Sequence, residues 1–471
     1  MSQHTPRPLA DQVESLRRQF AQAPGLPFPD ALTAERVAAA FRGEDVPSYD
    51  CVYTPLTTVR LLLAQALDPD PSLRRAVSRL LAERAAQGRA AISAGTGAYS
   101  QARRRLPEGV LSRLTRHVGA DLLRQAPAPW RWQGRDVKIV DGTTVSMPDT
   151  PANQAAYPQP AHERPGLGFP LARLVVVFSL AVGTVLDAAV GPFAGKRTGE
   201  PALFRGLHPG LRAGDVVLAD RYFCSYFEIA LLRQQGVDAV LRLHQRRPVD
   251  FRRGRRLGRD DHVVVWKKPK RPEWLEEATY AQLPDTLEVR EVRLRGTRPG
   301  FRTQTVVVVT TLRDPRQVSR LDLTDLYRRR WQAELDLRSL KQTMQMGILR
   351  GKSPALVGKE LWAHLLAYNL IRTVMAQAAR RHDREPRALS FKGALQTLAA
   401  FAPHALVARR DQWPALAERI LAAIAQHRVA DRPDRYEPRA RKRRYDNFMH
   451  LRRPRAEAKA LLLKGVCEEF K

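Results

Sequence analysis

Hydrophobic residues recur with a helical period in the first quarter of the chain. In TPLTTVRLLLAQAL, SLRRAVSRLLAERAA and VLSRLTRHVGADLLRQ, apolar residues return every three or four positions, and Gly and Pro separate these segments. The pattern predicts several short helices between Tyr53 and about Gln125, preceded by one amphipathic stretch at Leu9–Phe20. We therefore expect an N-terminal helical domain over residues 1–126.

The period changes after the linker APAPWRWQGR. Runs rich in β-branched residues and bounded by Gly or Pro, such as DVKIVDGTTVSM and LARLVVVFSL, are typical of strands. Further along, AGDVVLAD, RYFCSYFEIALLRQQG and VDAVLRL follow the order strand, helix, strand, and this alternation favours parallel neighbours in an α/β sheet. We predict an α/β core whose first part covers residues 134–244.

A very basic segment interrupts this alternation. Residues 245–303 contain QRRPVDFRRGRRLGR and the short strand patterns HVVVW and EVREVRLRG, which predict a basic β-rich insertion. The core is expected to resume over residues 304–380 with one buried strand and two helices. Residues 381–471 are expected to form a helical C-terminal region with a basic tail that is extended when free.

The chain carries far more basic than acidic side chains. Its 471 residues include 79 Lys and Arg against 48 Asp and Glu, which gives a formal net charge of +31. Such an excess indicates a polyanionic partner, most simply DNA or RNA, and a basic helical module in the N-terminal region could lie in a DNA groove. No run of about 18 uncharged apolar residues occurs, so we expect no membrane association.

Cysteine and histidine contribute little to the predicted chemistry. Cys51, Cys224 and Cys467 are too widely spaced for a disulfide framework or a cysteine-based zinc site. This usage predicts a reducing, cytoplasmic compartment. The histidines form no HExxH pattern, and His262 is expected at the surface rather than as a ligand.

One polar helix is predicted to carry four chemically distinct side chains on a single face. The stretch from Leu321 to Met346 contains no Pro or Gly, so we predict one continuous helix. At about 100° per residue, four positions fall within an arc of roughly 60°: Tyr327, Arg330, Glu334 and Lys341. Leu323 and Trp331 share this face, which is therefore expected to point inward and to bury Glu334, while Asp336 is expected on the opposite side. A plain ion-pair ladder is the alternative interpretation.

Two further acids lie where strands are predicted to end. Asp141 closes DVKIVD before the turn-forming Gly142, and Asp220 closes DVVLAD before a helix. Ligand sites in open α/β sheets gather at such ends, so Glu334 could meet both aspartates. Three carboxylates suit Mg²⁺ or Mn²⁺, and two such ions can support in-line phosphoryl transfer. Taken singly, Asp141 could instead be a turn residue and Asp220 a helix N-cap.

These residues resemble a known family. The spacing Tyr-x2-Arg-x3-Glu-x6-Lys from Tyr327 to Lys341 matches the Tyr-Arg-Glu-Lys signature of the insertion-sequence-four family of DDE transposases. The segments VDGTT at Asp141 and LADRYF at Asp220 resemble the segments of that family that hold its first and second catalytic aspartates. The resemblance covers roughly residues 50–450.

The resemblance implies a fold and an activity. It implies an RNase H-like catalytic core and a bacterial, nucleoid-associated protein that cuts DNA at the ends of its insertion sequence and joins the 3′-OH ends to target DNA. By this resemblance, the catalytic residues that bind two Mg²⁺ (or Mn²⁺) ions would be Asp141, Asp220 and Glu334. The residues that contact DNA would be Tyr327, Arg330 and Lys341. The DNA partners would be double-stranded: the terminal inverted repeats of the element and the target DNA. The protein partner would be a second copy of this chain, in a homodimer. A metal-dependent nuclease without strand transfer and an inactive DNA-binding relative are the alternatives.

Overall fold

The computed structural model describes residues 32, 34–44, 51–295, 305–429 and 451–464. The amphipathic stretch predicted at Leu9–Phe20 and most of the predicted basic tail lie outside these residues. The helices of the described ranges are α1 (Ala34–Phe41), α2 (Pro55–Leu67), α3 (Leu73–Ala86), α4 (Gly97–Arg105), α5 (Glu108–Arg124), α6 (Pro151–Ala156), α7 (Glu200–Arg205), α8 (Tyr226–Gln234), α9 (Glu277–Gln282), α10 (Arg320–Arg329), α11 (Trp331–Arg338), α12 (Pro354–Arg381), α13 (Phe391–Val407), α14 (Trp413–Gln426) and α15 (Arg455–Leu463). The strands are β1 (Val137–Ser146), β2 (Leu171–Ser179), β3 (Val185–Pro192), β4 (Val216–Ala219), β5 (Asp238–Arg242), β6 (Arg255–Gly258), β7 (Asp261–Lys267), β8 (Thr286–Arg295) and β9 (Thr305–Thr310).

All strands of the described residues belong to one nine-stranded sheet. Their order is β3-β2-β1-β4-β5-β9-β8-β7-β6. The pairs β1–β4 and β4–β5 are parallel, whereas every other neighbouring pair is antiparallel. The parallel part of the sheet is buried: all of β4, the middle of β5 and the first four residues of β1, which are mostly Val, Leu, Ile and Ala. The prediction of a mixed α/β structure with parallel neighbours is confirmed.

The basic segment after β5 contributes strands to this same sheet. Strand β9 pairs with β5 on one side and with β8 on the other, so β6 to β8 continue the sheet outward. Arg290 on β8 is fully buried and binds Asp261 on β7 through two hydrogen bonds of 2.8 and 2.6 Å. His262, expected at the surface, is 1% exposed and lies 3.2 Å from Glu291, its partner in the strand register. That expectation was wrong because β7 and β8 bury polar pairs between them.

The long helix α12 organises the helical layer. It packs against α2, α5 and α14, and most of its side chains are buried. Asn369 on α12 accepts a hydrogen bond from Val185 N (2.7 Å) and donates to Thr115 O (2.9 Å), which ties this helix to β3 and α5. The N-terminal helices therefore pack directly on the layer that covers the sheet. Within the described ranges, no helix combines the length and apolar character needed to cross a bilayer.

Candidate active site

The two aspartates lie side by side at the centre of the sheet. Strands β1 and β4 are parallel and in register up to Val140 and Ala219, so Asp141 and Asp220 follow directly after a paired position. Asp141 does not end its strand as predicted, because β1 continues to pair with β2 as far as Ser146. Asp220 does end β4. The aspartates therefore occupy the point where the parallel ladder stops.

Backbone amides hold both aspartates. Asp141 Oδ1 accepts a hydrogen bond from Gly142 N at 2.9 Å. Asp220 Oδ1 accepts one from Tyr222 N at 2.8 Å and caps the short 3₁₀ turn Arg221–Phe223. The N-cap interpretation of Asp220 thus describes one of its contacts. Each carboxylate keeps further lone pairs, so a cap does not exclude a second ligand.

The helix predicted over Leu321 to Met346 is interrupted twice. Helix α10 ends before Arg330, where Arg330 N donates to Tyr327 O and Ala333 N donates to Arg330 O, both at a spacing of three residues. Helix α11 follows and leads into a π-helical turn, Ser339–Thr343. The prediction of a single continuous helix was therefore wrong in detail. The helix is tighter at Arg330 and wider at the π-helical turn, so the side chains are not spaced at a constant angle along it.

Arg330 connects the first three members of the predicted face. Its Nη2 donates to Glu334 Oε1 at 2.8 Å, and its guanidinium lies 5.9 Å from the centre of the Tyr327 ring. The Glu334 side chain is 37% exposed and Trp331 is 55% exposed, so the expectations that both point inward were wrong. Leu323 is buried as expected. The face is a wall of an open site rather than part of the core.

Lys341 stands apart from this group. It belongs to the π-helical turn, and its carbonyl accepts a hydrogen bond from Gly347 N. Burial lowers the pKa of its ammonium group. A Cβ added to Gly347 would lie 3.6 Å from Lys341 Cε, so this side chain runs along the segment that follows the turn.

Electrostatics link the acids across the site. Burial raises the pKa of Asp141 to about 6; the Gly142 amide and Arg330 oppose this shift, and the charges of Asp220 and Glu334 add to it. Asp141 is thus close enough to Asp220, Glu334 and Arg330 to feel all three charges. Burial also raises the pKa of Tyr327 to about 12, so its phenol is protonated at neutral pH.

A fourth carboxylate was not predicted from the sequence. Glu200 opens α7, and a Cβ added to Gly142 would lie 2.5 Å from its Oε1 and 2.8 Å from its Cγ. Burial and the charge of Asp220 raise the pKa of Glu200, while Arg173 opposes the shift. The Glu200 carboxylate thus lies against Gly142, and a side chain at position 142 would displace it. In the sequence, the glycine that follows Asp141 indicated a close contact at this position, but it could not identify Glu200 as the contacting residue.

The oxygen donors suit a hard divalent cation, but they are not gathered around one point. In the part of the chain that the structure describes, no three His, Cys, Asp or Glu side chains stand close enough together to hold a metal ion. Glu334 is instead engaged by Arg330. The carboxylates of Asp141, Asp220 and Glu334 supply the oxygen ligands that Mg²⁺ prefers. Burial is the main cause of the raised pKa of Asp141, and the charges of Asp220 and Glu334 add to it.

A buried ionic cluster holds the helix that carries Glu334. Asp336 is 1% exposed and accepts hydrogen bonds from Arg372 and from Arg387, the latter at 2.8 Å to both carboxylate oxygens. Arg387 also donates to Leu180 O at 2.9 Å in the turn between β2 and β3. The cluster ties α11 to α12 and to the sheet. Sequence periodicity placed Asp336 away from Glu334, but it could not identify two distant arginines as its partners.

Residues 132–370, just over half of the chain, match the family described as "Transposase DDE domain". The chain therefore belongs to this family of transposase DDE domains. Among particular proteins, it is 30% identical over 302 residues to the transposase InsG for insertion sequence element IS4 of Escherichia coli (strain K12). That match spans 62% of this chain and 64% of the length of the relative. The predicted resemblance to the insertion-sequence-four type is confirmed.

A solved structure was also compared with the chain. The piggyBac transposase in a synaptic complex with hairpin DNA gives a TM-score of 0.41 at 10% identity, over 88% of this chain and 82% of that one. A score and an identity this low do not establish a common fold.

Proposed function

We propose that this protein is a transposase that cuts DNA at the ends of its insertion sequence and joins the 3′-OH ends to target DNA. The observation that carries the proposal is the pairing of Asp141 and Asp220 where the parallel strands β1 and β4 part, with Glu334 in electrostatic contact with Asp141. Carboxylates so arranged on rigid strands are suited to phosphoryl transfer.

The proposed architecture follows the strand order. Three antiparallel strands (β3-β2-β1) followed by two parallel ones (β4-β5) support an RNase H-like core over residues 134–244 and 304–380. We assign terminal-repeat binding to residues 1–126 and treat residues 245–303 as a basic insertion. Residues 381–471 are proposed to help two protomers pair as a homodimer on DNA.

Asp141, Asp220 and Glu334 would hold two Mg²⁺ or Mn²⁺ ions, as is general for the family. When bound, the ions would neutralise charge on the reacting phosphate and activate the attacking water or 3′-OH. The residues of the chain bind and orient the DNA. Arg330 donates through Nη2 to Glu334 and also interacts with Tyr327. A guanidinium carries five N–H donors, so others can bind phosphate oxygens.

Tyr327 and Lys341 complete the proposed contacts with the cleaved DNA end. Tyr327 is protonated, so its phenol can donate a hydrogen bond to phosphate and is not set up as a covalent nucleophile. Lys341 lies farther along, beside Gly347, and would hold a phosphate outside the acidic centre.

Substitution of single acids tests the proposal. Asp141→Asn or Glu334→Gln should reduce cleavage of a duplex end by about 10³-fold or more, because metal-held charge stabilisation is worth several kcal/mol. Binding of that end should stay nearly unchanged. The control is Asp325→Asn, an exposed carboxylate paired only with Arg329 in the described structure, which should cleave normally. Equal losses of binding and cleavage would count against a catalytic role.

Strand transfer separates a transposase from a nuclease. A labelled 3′-OH end should become joined to a second, unlabelled duplex in the presence of Mg²⁺ or Mn²⁺, and EDTA should stop the reaction. A nuclease of similar structure would release cut ends that are never joined. If the protein were an inactive DNA-binding relative, it would bind DNA ends without cutting them. The Asp141→Asn variant would then behave like the parent in every assay.

A further inference from the structure

A cavity of about 380 Å³ separates the N-terminal helices from the segment that follows the π-helical turn. One wall comes from α2, α3 and α4, and the other from residues 350–352 and the start of α12. Four cationic side chains line it: Arg103, Arg104, Arg350 and Lys352. We call this cavity the basic groove. It contains none of the residues assigned above to the candidate active site.

The cations of the basic groove are not neutralised within the protein. Across the described parts of the chain, none of the four forms an ion pair, and Arg103 Nε is buried without a hydrogen-bond partner. The single acidic lining residue, Glu360, already accepts hydrogen bonds from Arg350 N (3.0 and 2.9 Å) and Gly351 N (2.8 Å). Four like charges around one cavity repel one another unless a polyanion lies between them.

Hydrogen bonds to the backbone fix both walls in place. On one side, Thr150 Oγ1 donates to Lys352 O at 3.1 Å and Asn153 Nδ2 donates to Gly351 O at 3.0 Å. On the other, the buried Lys359 of α12 donates through Nζ to Arg104 O at 2.7 Å. Because the backbone is already ordered, a ligand between the walls loses little affinity to ordering the site.

The basic groove lies beyond the far end of the strand that carries Asp141. Ser146, the last residue of β1, donates to Gly347 O at 3.1 Å and accepts from Leu349 N at 2.8 Å, so the chain enters the groove alongside β1. Five residues of strand separate Asp141 from Ser146, which is roughly 17 Å. Successive phosphates of one strand advance about 3.4 Å along a duplex. A duplex that ran along β1 from the acids would therefore reach the groove after roughly five base pairs. Lys341 lies beside Gly347, where the chain approaches the groove.

We propose that the basic groove binds the phosphodiester backbone of the DNA duplex whose end is cleaved, at phosphates five or more base pairs from the cut. The inference rests on the proposed function and extends it. A second backbone site, shared between the N-terminal helices and the segment after Lys341, fixes the direction in which the duplex leaves the acids.

The salt dependence of binding tests the basic groove directly. We compare the full-length chain with the double variant Arg350→Gln/Lys352→Gln, using a fluorescent duplex that carries one end of the element. If each cation contacts one phosphate, the slope of log K against log salt should become less steep by about 2 units in the double variant. Arg104→Gln, on the opposite wall, should remove about 1 unit.

A matched control removes the same charge elsewhere. Arg212→Gln/Arg233→Gln alters two exposed cations that precede β4 and β5, at the edge of the sheet opposite the acids. This control should keep the parental slope. Unfolding temperatures of all variants show whether each remains folded. A slope in Arg350→Gln/Lys352→Gln equal to that of the control would overturn the proposal.

Neutral phosphates locate the contact. Single methylphosphonates placed along the duplex should weaken binding of the parent chain most at about five to eight base pairs from the cut, and Arg350→Gln/Lys352→Gln should be insensitive there. Identical profiles would also overturn the proposal. These readouts are binding alone, so they are independent of the catalytic test. If Asp141→Asn cleaved normally, the proposed function would fail. The proposal for the basic groove would still be tested by the salt dependence of binding and by the methylphosphonate profile.

Discussion

Glu334 and Asp336 stand two residues apart on α11 in opposite environments. The Glu334 side chain is 37% exposed and binds one arginine, Arg330. The Asp336 side chain is 1% exposed and is enclosed by two arginines from other elements, Arg372 and Arg387. Both arginines are themselves buried, whereas Arg330 borders the open site. The helix therefore separates a buried, anchoring carboxylate from one that remains available to a ligand.

The difference lies in how completely each negative charge is compensated. A buried carboxylate is tolerated only when paired and hydrogen-bonded, and Asp336 meets that condition twice over. In the candidate site, by contrast, Asp141 and Glu200 form no ion pair within the described structure. Burial raises the pKa of both carboxyl groups, and Arg330 and Arg173 offset that rise only in part. Incomplete compensation thus marks the acids that we propose to be functional.

Removing the anchoring carboxylate should have the largest effect on stability. Asp336→Ala leaves Arg372 and Arg387 buried without their shared partner, so we expect a loss of about 3–5 kcal/mol in the free energy of unfolding. Urea denaturation at pH 7 measures this loss. Asp325→Ala removes an exposed pair on the adjoining helix and should stay within about 0.5 kcal/mol of the parent. A loss below 1 kcal/mol for Asp336→Ala would end the contrast between the two carboxylates.

Neutralising Asp141 should increase the free energy of unfolding, whereas removing Asp336 should decrease it. The pKa of this carboxyl is raised from 3.8 to about 6 on folding, so the folded state favours the protonated form. Stability associated with Asp141 is therefore present below pH 4 and is lost as pH rises through about 6. Asp141→Asn cannot ionise, so it should gain about 1–3 kcal/mol over the parent between pH 4 and pH 7.

Denaturation of Asp141→Asn and the parent at several pH values measures that gain. The difference between them should grow between pH 4 and pH 6 and level off above pH 7. Added Mg²⁺ should stabilise the parent at pH 7 but have less effect on Asp141→Asn, because the variant lacks one proposed ligand. A difference that is flat with pH would mean that the folded environment of Asp141 does not raise the pKa of its carboxyl group.

Much of the fold and part of the site were predictable from local pattern. Strand periodicity located β1, β4 and β5, and the motif spacing singled out Tyr327, Arg330 and Glu334, which the structure brings together. The remainder depended on contacts between distant segments. The addition of β6 to β9 to the same sheet requires β5 to pair with β9 across some 65 residues, and no local pattern encodes that pairing.

The errors within the site have a similar origin. Burial of Glu334 and Trp331 was inferred from a regular helix, but the irregular hydrogen bonds at Arg330 and the π-helical turn alter the angular spacing. The sequence placed Asp336 only on the opposite side of the helix, because its partners, Arg372 and Arg387, lie 36 and 51 residues away. Glu200 was missed because its proximity to Gly142 and Asp220 depends on the packing of α7 against the sheet.

The smallest expected effect on stability belongs to Glu334. Its pair with Arg330 is a partly exposed contact at a spacing of four residues, and such pairs contribute about 0.5 kcal/mol or less. Glu334→Gln should therefore unfold in urea within about 0.5 kcal/mol of the parent, although we expect it to lose most of its cleavage activity. A loss of 2 kcal/mol or more would make Glu334 a second anchor like Asp336. In that case the loss of cleavage could not be assigned to chemistry, and the separation of roles along α11 would have to be abandoned.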